Sequence, residues 1–284
     1  VSSITNHPFI KVLVYANVFI ALCAFSQVLL TYLLFDIPFT FDTVSYLVFV
    51  PLGTFVQYNI QRGYMIAYYN LDTERSKWMH RHKRALIYSN VIGIVILLCL
   101  CNSLSWKSIL IMGIAEVISS LYYLPPFNLR KYGYIKPFLI SAVWVISCVV
   151  VPLLENGMLN MEHAQVYYFM AAQFLFVAEL CIVFDIKDAS ADFAGGVRTY
   201  ANVMGELFTK VLCITMLLGS FVCRWYFSGH LALVSVFVLI PCIILTLLSS
   251  DKKHAFWFYL TIDGMLILQV IVVGLSFLLN RGFY

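Results

Sequence analysis

The sequence is poor in charge. Asp, Glu, Lys and Arg make up 11% of its 284 residues and hydrophobic types 62%, where soluble domains run near 25% and 45–50%. That shortage excludes a soluble globular enzyme, a nucleic-acid-binding domain and a disordered tail. There is no CxxC pair and no Cys/His zinc spacing among the eight cysteines, nearly all of which lie inside apolar runs, so they read as small buried hydrophobes. Strict polar–apolar alternation is missing too, which excludes an outer-membrane β-barrel. The first apolar run has no small-residue cleavage site and reads as a true span, not a signal peptide.

What is present is long apolar stretches, at about 9–35, 43–68, 85–104, 107–124, 135–155, 164–184, 206–228, 230–249 and 254–279. A bilayer-crossing helix needs about 20 apolar residues. The expected fold is therefore all-α: one integral-membrane domain over 1–284, built as a nine-transmembrane-helix bundle. Of the 18 Lys and Arg, all but Lys107, Arg224 and Arg281 fall at the N-terminal side or in the even-numbered connectors. The positive-inside rule then puts the N-terminus in the cytoplasm and the C-terminus outside, in the inner membrane if the source is bacterial. The basic stretch from Arg75 to Arg84 satisfies that rule and suits anionic membrane lipid; a cap helix reaching into a site is the other reading.

One polar constellation stands out. After the sixth run the chain reads FDIKDASADFAGGVRTY, with Asp185, Asp188 and Asp192 at i, i+3 and i+7. On a continuous helix these share one face. Carboxylates crowded together repel, and a divalent cation relieves that. Mg²⁺ takes one or two carboxylates and shares its other positions with water and phosphate. Lys187 and Arg198 lie alongside, and an Arg fork suits phosphate oxygens. The pattern reads as a Mg²⁺–diphosphate site at the mouth of a membrane cavity; a solvated acidic helix end is the plainer alternative. Ionisable residues inside spans are costly, which singles out Glu116, Glu179 and Asp263.

Asp185, Asp188, Asp192, Gly196, Arg198 and Thr199 match, in order and spacing, the second aspartate motif of the UbiA superfamily of intramembrane prenyltransferases, D-x-x-D-x-x-x-D-x-x-x-G-x-[RK]-[ST]. The segment YYLPPFNLRKYGYIKP resembles that family's stretch after helix 4. The resemblance implies a prenyl diphosphate donor, a lipid-soluble, aromatic acceptor of quinone or pigment type, and Mg²⁺ held by Asp185, Asp188 and Asp192. Lys187, Arg198, Lys131, Lys77 and Arg84 are the candidate diphosphate contacts, and Asn59, Arg62 and Glu179 the candidate catalytic groups. Glu179 lies about 9 Å deeper than Asp185 at the helical rise, a depth that suits contact with an acceptor or isoprenoid head and equally an interhelical hydrogen bond to Gln173, Gln269 or Asn90. Tyr58, Tyr122 and Tyr123 are candidates for aromatic walls around a carbocation.

The family's first motif, N-D-x-x-D-x-x-x-D, is degraded. Asn59 stands for its Asn, but Ile60 and Gly63 occupy the Asp positions, and Arg62 is placed to replace an ion as a fixed positive charge. A second register offers Asn70 and Glu74 as the first metal site. The degradation also leaves open a terpene cyclase, or a non-catalytic isoprenoid-binding member serving as a subunit among other membrane proteins.

Overall fold

The computed structural model describes residues 7–70, 72–125, 129, 132–159 and 164–281. Among these the regular elements are all helical. In chain order they are α1 (Pro8–Tyr15), α2 (Val18–Leu34), α3 (Phe41–Tyr69) and α4 (Glu74–Arg81). Then come α5 (Lys83–Ser103), α6 (Trp106–Tyr123), α7 (Lys136–Glu155) and α8 (Ala164–Ala194). The last are α9 (Tyr200–Val203), α10 (Glu206–Phe227), α11 (Gly229–Leu248) and α12 (Ala255–Leu279).

Each apolar run is helical, but not each meets the demands of a span. Among the described residues six helices (α5, α7, α8, α10, α11 and α12) are long and apolar enough to cross a membrane. A seventh span results if α1 and α2, bent by 62° at Ala16–Asn17, count as one. The other two runs are α3 and α6, whose apolar character is diluted by Gln57, Asn59, Gln61 and Arg62 in the first and by Lys107, Glu116, Ser119 and Ser120 in the second. The molecule is an integral membrane protein, and length and apolarity alone support six or seven spans, not nine.

Local signals set the helix ends. Thr40 and Thr43 form a reciprocal cap on α3, and Thr73 and Ser76 do the same on α4, satisfying amide groups that a helix start leaves open. Pro51 and Pro241 sit inside α3 and α11, where membrane neighbours make an interior proline tolerable. The bend between α1 and α2 is set by Asn17, whose left-handed φ of 62° is one that Asn adopts more readily than most residues.

The long helices pack as a closed ring: α2 on α3, α3 on α6, α6 on α7, α7 on α8, α8 on α10, α10 on α11, α11 on α12, and α12 back on α2. The most buried is α8, with Phe169, Ala178, Ile182 and Val183 fully enclosed. By contrast α5 leans on α3 from outside, and Gly93 is its buried residue. A Cβ there would stand 2.8 Å from Val56, so glycine lets the two helices meet.

A polar knot ties the interior of the ring. Gln27 of α2 donates to the Leu266 carbonyl at 2.9 Å, Gln173 of α8 donates to Gln27 at 3.1 Å, and the Arg224 guanidinium donates to Gln173 at 2.9 Å. Gln269, its amide turned to accept from Arg224, closes the set. Arg224 also lies 5.8 Å from the Phe176 ring. In an apolar medium each such group needs its partner. Gln173→Leu should therefore cost about 1–3 kcal/mol by leaving Gln27 and Arg224 short of partners. Adding Arg224→Met should recover part of the lost thermal stability in detergent. Equal melting of wild type and Gln173→Leu would show that the knot contributes nothing.

Candidate functional site

The site lies where α3, α6 and α8 finish and α7 and α12 begin. The helical repeat puts Asp185, Asp188 and Asp192 on one face of α8. Asp185 and Asp192 are buried, while the Asp188 side chain is 41% exposed. Lys136, at the start of α7, donates to Asp185 Oδ1 at 2.6 Å. Asp185 Oδ2 is buried with no hydrogen bond. Lys187 pairs with Asp188 at 2.7 Å and is itself 13% exposed.

A second layer of cations faces this pair across Tyr259 of α12. Lys187 Nζ lies 5.3 Å, and Arg75 Cζ 5.6 Å, from the Tyr259 ring centre. Arg62 of α3 is close enough for its charge to bear on both Arg75 and Tyr259. Burial first, and Arg62 second, pull the Arg75 pKa down to about 10, so it stays charged at neutral pH. Three cations thus gather beside Asp188. Like charges at this separation repel, and an anionic ligand would relieve them.

Arg75 also does structural work. Its Nη2 donates to the carbonyls of Val14 and Tyr15 at 3.3 and 3.4 Å and to Asn17 Oδ1 at 2.5 Å. Asn17 in turn donates to Asn59 Oδ1 at 2.9 Å, and Asn59 Nδ2 donates to the carbonyls of Ala16 and Phe55. Asn59, expected among the catalytic groups, is thus spent on fixing the bend of α1–α2 against α3. Glu179, expected likewise, is turned away. Six residues before Asp185 it lies about 120° around the helix, where it accepts from Thr246 of α11 at 2.8 Å. Glu74, the alternative first-motif ligand, is bound to Lys11 at 2.7 Å. Its hydrogen bond from Lys11 holds the carboxyl below its usual range. The pair is therefore intact at neutral pH and lost only as pH falls through the depressed value.

The expected diphosphate contacts divide. Lys187 is in place. Lys77 pairs with Asp72 at 3.1 Å and is 69% exposed, away from the aspartates. Arg84 and Arg198 are exposed, and Lys131 lies outside the described residues. The loop carrying Arg198 is nevertheless well fixed. Gly196 turns the chain at φ +74°, Val197 donates to the Asp192 carbonyl at 2.8 Å, and Asn202 Nδ2 donates to the Val197 carbonyl at 2.8 Å. Gly133 packs directly on the Arg198 carbonyl, where a Cβ would clash. The sequence reading missed Lys136 and Arg75 as site residues. Their signals were a lysine opening span 5 and one arginine among several in a basic connector.

Below the ion pairs a cavity of about 360 Å³ opens between α3, α5, α6 and α7, lined by Gly53, Gln57, Tyr58, Gly113, Glu116 and Trp144 among others. Small-molecule sites run roughly 300–1,000 Å³. Tyr58 joins it to the charged end, lying near Asp263, Cys181 and Tyr122, and Tyr122 adjoins Lys136.

Among the described residues no three Asp, Glu, His or Cys side chains converge to hold one ion. Mg²⁺ does not require that, since it binds through one or two carboxylates plus phosphate and water. A buried carboxylate oxygen without a donor, as at Asp185 Oδ2, is a hard ligand of the right kind. The residues fit an ion carried in with a phosphate, not an all-protein cage.

No family profile and no curated relative matches the sequence. Among solved structures, the apo structure of a UbiA homolog from Aeropyrum pernix K1 superposes with a TM-score of 0.66, at 13% identity, over 92% of this chain and 98% of that one. The chain has the UbiA fold. The match runs nearly end to end in both proteins, so the ring of helices is shared as a whole.

Within this UbiA fold the Lys136–Asp185 pair should be a structural joint. Removing one partner of a buried pair costs about 3–5 kcal/mol, whereas replacing both with apolar groups is often neutral. Lys136→Met should lower thermal stability strongly, and Lys136→Met with Asp185→Leu should restore most of it. A Lys136→Met protein as stable as wild type would show that Asp185 finds another cation.

Proposed function

We propose that the protein belongs to the UbiA superfamily and is an intramembrane prenyltransferase, with nine spans and a cytoplasmic N-terminus, that moves a prenyl group from an allylic prenyl diphosphate to a lipid-soluble, aromatic acceptor. The observation that carries this reading is the charged end of the bundle. Carboxylates on α8 and the cations Lys187, Arg62 and Arg75 gather at the end of the bundle where α3 and α8 finish, and an apolar cavity lies deeper between α3, α5, α6 and α7. A diphosphate has the charge to occupy the first, and an isoprenoid chain has the shape and polarity to occupy the second.

Lys187, Arg62 and Arg75 bind and neutralise the diphosphate oxygens as the bond from oxygen to the allylic carbon breaks, a preorganised stabilisation of developing charge. One or two of Asp185, Asp188 and Asp192 would hold Mg²⁺ that arrives with the diphosphate, and the ion would supply further positive charge on the leaving group. Lys136 orients Asp185 by holding its Oδ1, leaving Oδ2 free. The cavity excludes water from the allylic cation, and the faces of Tyr58 and Trp144 offer it π electron density. The acceptor ring then forms the new carbon–carbon bond and releases a proton.

One observation favours a second reading, an isoprenoid-binding protein without turnover. Asn59 is consumed by the α1–α2 bend, and Arg62, on the same stretch of α3, is a fixed cation. Titration and turnover separate the two. In proteoliposomes with geranylgeranyl diphosphate and Mg²⁺, transfer predicts release of inorganic diphosphate that requires an acceptor. Asp188→Asn should lower that release about a hundredfold, equivalent to roughly 2.7 kcal/mol of transition-state stabilisation. Arg62→Ala and Lys187→Ala should weaken binding of a non-hydrolysable analogue. Binding without release would favour the second reading, and no binding would reject both.

A further inference from the structure

The polar knot satisfies hydrogen bonds but leaves a charge unanswered. Arg224, in the last turn of α10, is buried, and its guanidinium donates to the side-chain oxygens of Gln173 and Gln269. Both are neutral amides. Among the described residues no carboxylate pairs with it, and the ionisable groups near enough to bear on its charge are the thiols of Cys242 and Cys223. Glu179, the acid on α8 closest in sequence to Gln173, lies about 9 Å further along that helix. A lone cation inside a bundle is costly and is ordinarily met by an opposite charge. The C-terminal end of α10 carries a partial negative charge, and the Phe176 ring adds its face at 5.8 Å. Neither amounts to a full anion.

Beside Arg224 lies a small void, separate from the large cavity, lined by Phe176 of α8, Ser220 of α10, Ser235 and Val238 of α11 and Gln269 of α12 among others. Its room is about 20 Å³, enough for one particle the size of a water molecule and too little for a phosphate, a carboxylate or a lipid headgroup. It is far from the aspartates. Gln173, which holds Arg224, precedes Asp185 by more than three turns of α8, roughly 18 Å at the helical rise. A guanidinium has five N–H groups, and two amide oxygens do not use them all. The Ser235 hydroxyl donates to the Ala232 carbonyl of its own helix at 2.7 Å, a bond that rotation of the hydroxyl exchanges for one into the void. Ser220 instead donates across to the Ala172 carbonyl of α8 at 2.8 Å and holds the wall together.

We infer that this void binds a single halide ion, chloride under ordinary conditions, held by Arg224 and the Ser235 hydroxyl, and that the ion fastens α10 to α8, α11 and α12 at the end of the bundle away from the aspartates. The ion cancels the charge of the guanidinium, which a water molecule in the same place would not do. Larger anions are excluded by size, so the site is selective for halide. Only the folded ring brings these helices around the ion, so binding stabilises the folded chain by mass action. The inference is independent of prenyl transfer and of the diphosphate end.

The test uses the full chain in detergent, exchanged into sodium gluconate. Replacing gluconate by chloride at constant ionic strength should raise the melting temperature saturably, by roughly 5 °C at a hundred times Kd. Bromide should act alike and sulfate not at all. Crystals grown in bromide should show an anomalous peak against the Arg224 guanidinium. Arg224→Gln should lose the saturable rise, and Ser235→Ala should weaken chloride affinity about tenfold. Arg62→Ala should keep the full rise, since its cation belongs to the other end of the bundle. Equal melting of wild type in chloride and gluconate, or no anomalous peak in the void, would overturn the inference and leave water as the occupant. So would a chloride rise that survives in Arg224→Gln and disappears in Arg62→Ala, which would place the ion among Lys187, Arg62 and Arg75. If Arg224→Gln does not fold, Ser235→Ala and the bromide peak decide between these outcomes.

Discussion

The Asp185 side chain is fully buried, and a carboxylate in that position must be met by a cation. Lys136 meets it at 2.6 Å, joining the first turn of α7 to the far end of α8. Much of the charged end follows from that joint. With Lys136 on one oxygen, the other is buried without a hydrogen bond, and Lys187 and Asp188 form their own pair one turn further along. The arrangement is stable as a set and unstable in parts, because each charge removed strands its neighbour in a medium that cannot solvate it.

The same principle explains the fate of the degraded first motif. A membrane helix that bends by 62° exposes carbonyls that lipid cannot satisfy. Asn59, Asn17 and Arg75 satisfy them together, so the amide that the motif resemblance placed in a metal site instead bolts the bend. Arg62 and Arg75 bring fixed charge close to Tyr259 and Asp188. A guanidinium keeps its charge under all physiological conditions.

Polar residues in the apolar layer fall into two groups. Gln27, Gln173, Gln269 and Arg224 satisfy one another and hold the ring closed. Glu116 and Gln57 face a cavity and are short of partners. The first group stabilises the fold, and the second lines the cavity between α3, α5, α6 and α7.

The sequence alone determined that the chain is helical and membrane-embedded, because apolar runs of bilayer length admit no other structure. It also determined that Asp185, Asp188 and Asp192 share a face, because helical periodicity is local. In the sequence α3 and α6 read as ordinary spans, and only the structure shows that polar residues within them, Gln57 and Glu116, line a cavity. Depth along the helix left Glu179 open to a ligand contact or an interhelical hydrogen bond, and the structure shows the hydrogen bond, from Thr246 of α11. Lys136, Arg75 and Tyr259 come to the aspartates from elements 49 residues before Asp185 and further away in either direction. Only the packing of the ring decided that, because which cation answers a buried carboxylate depends on which helices are neighbours, and no local pattern encodes it.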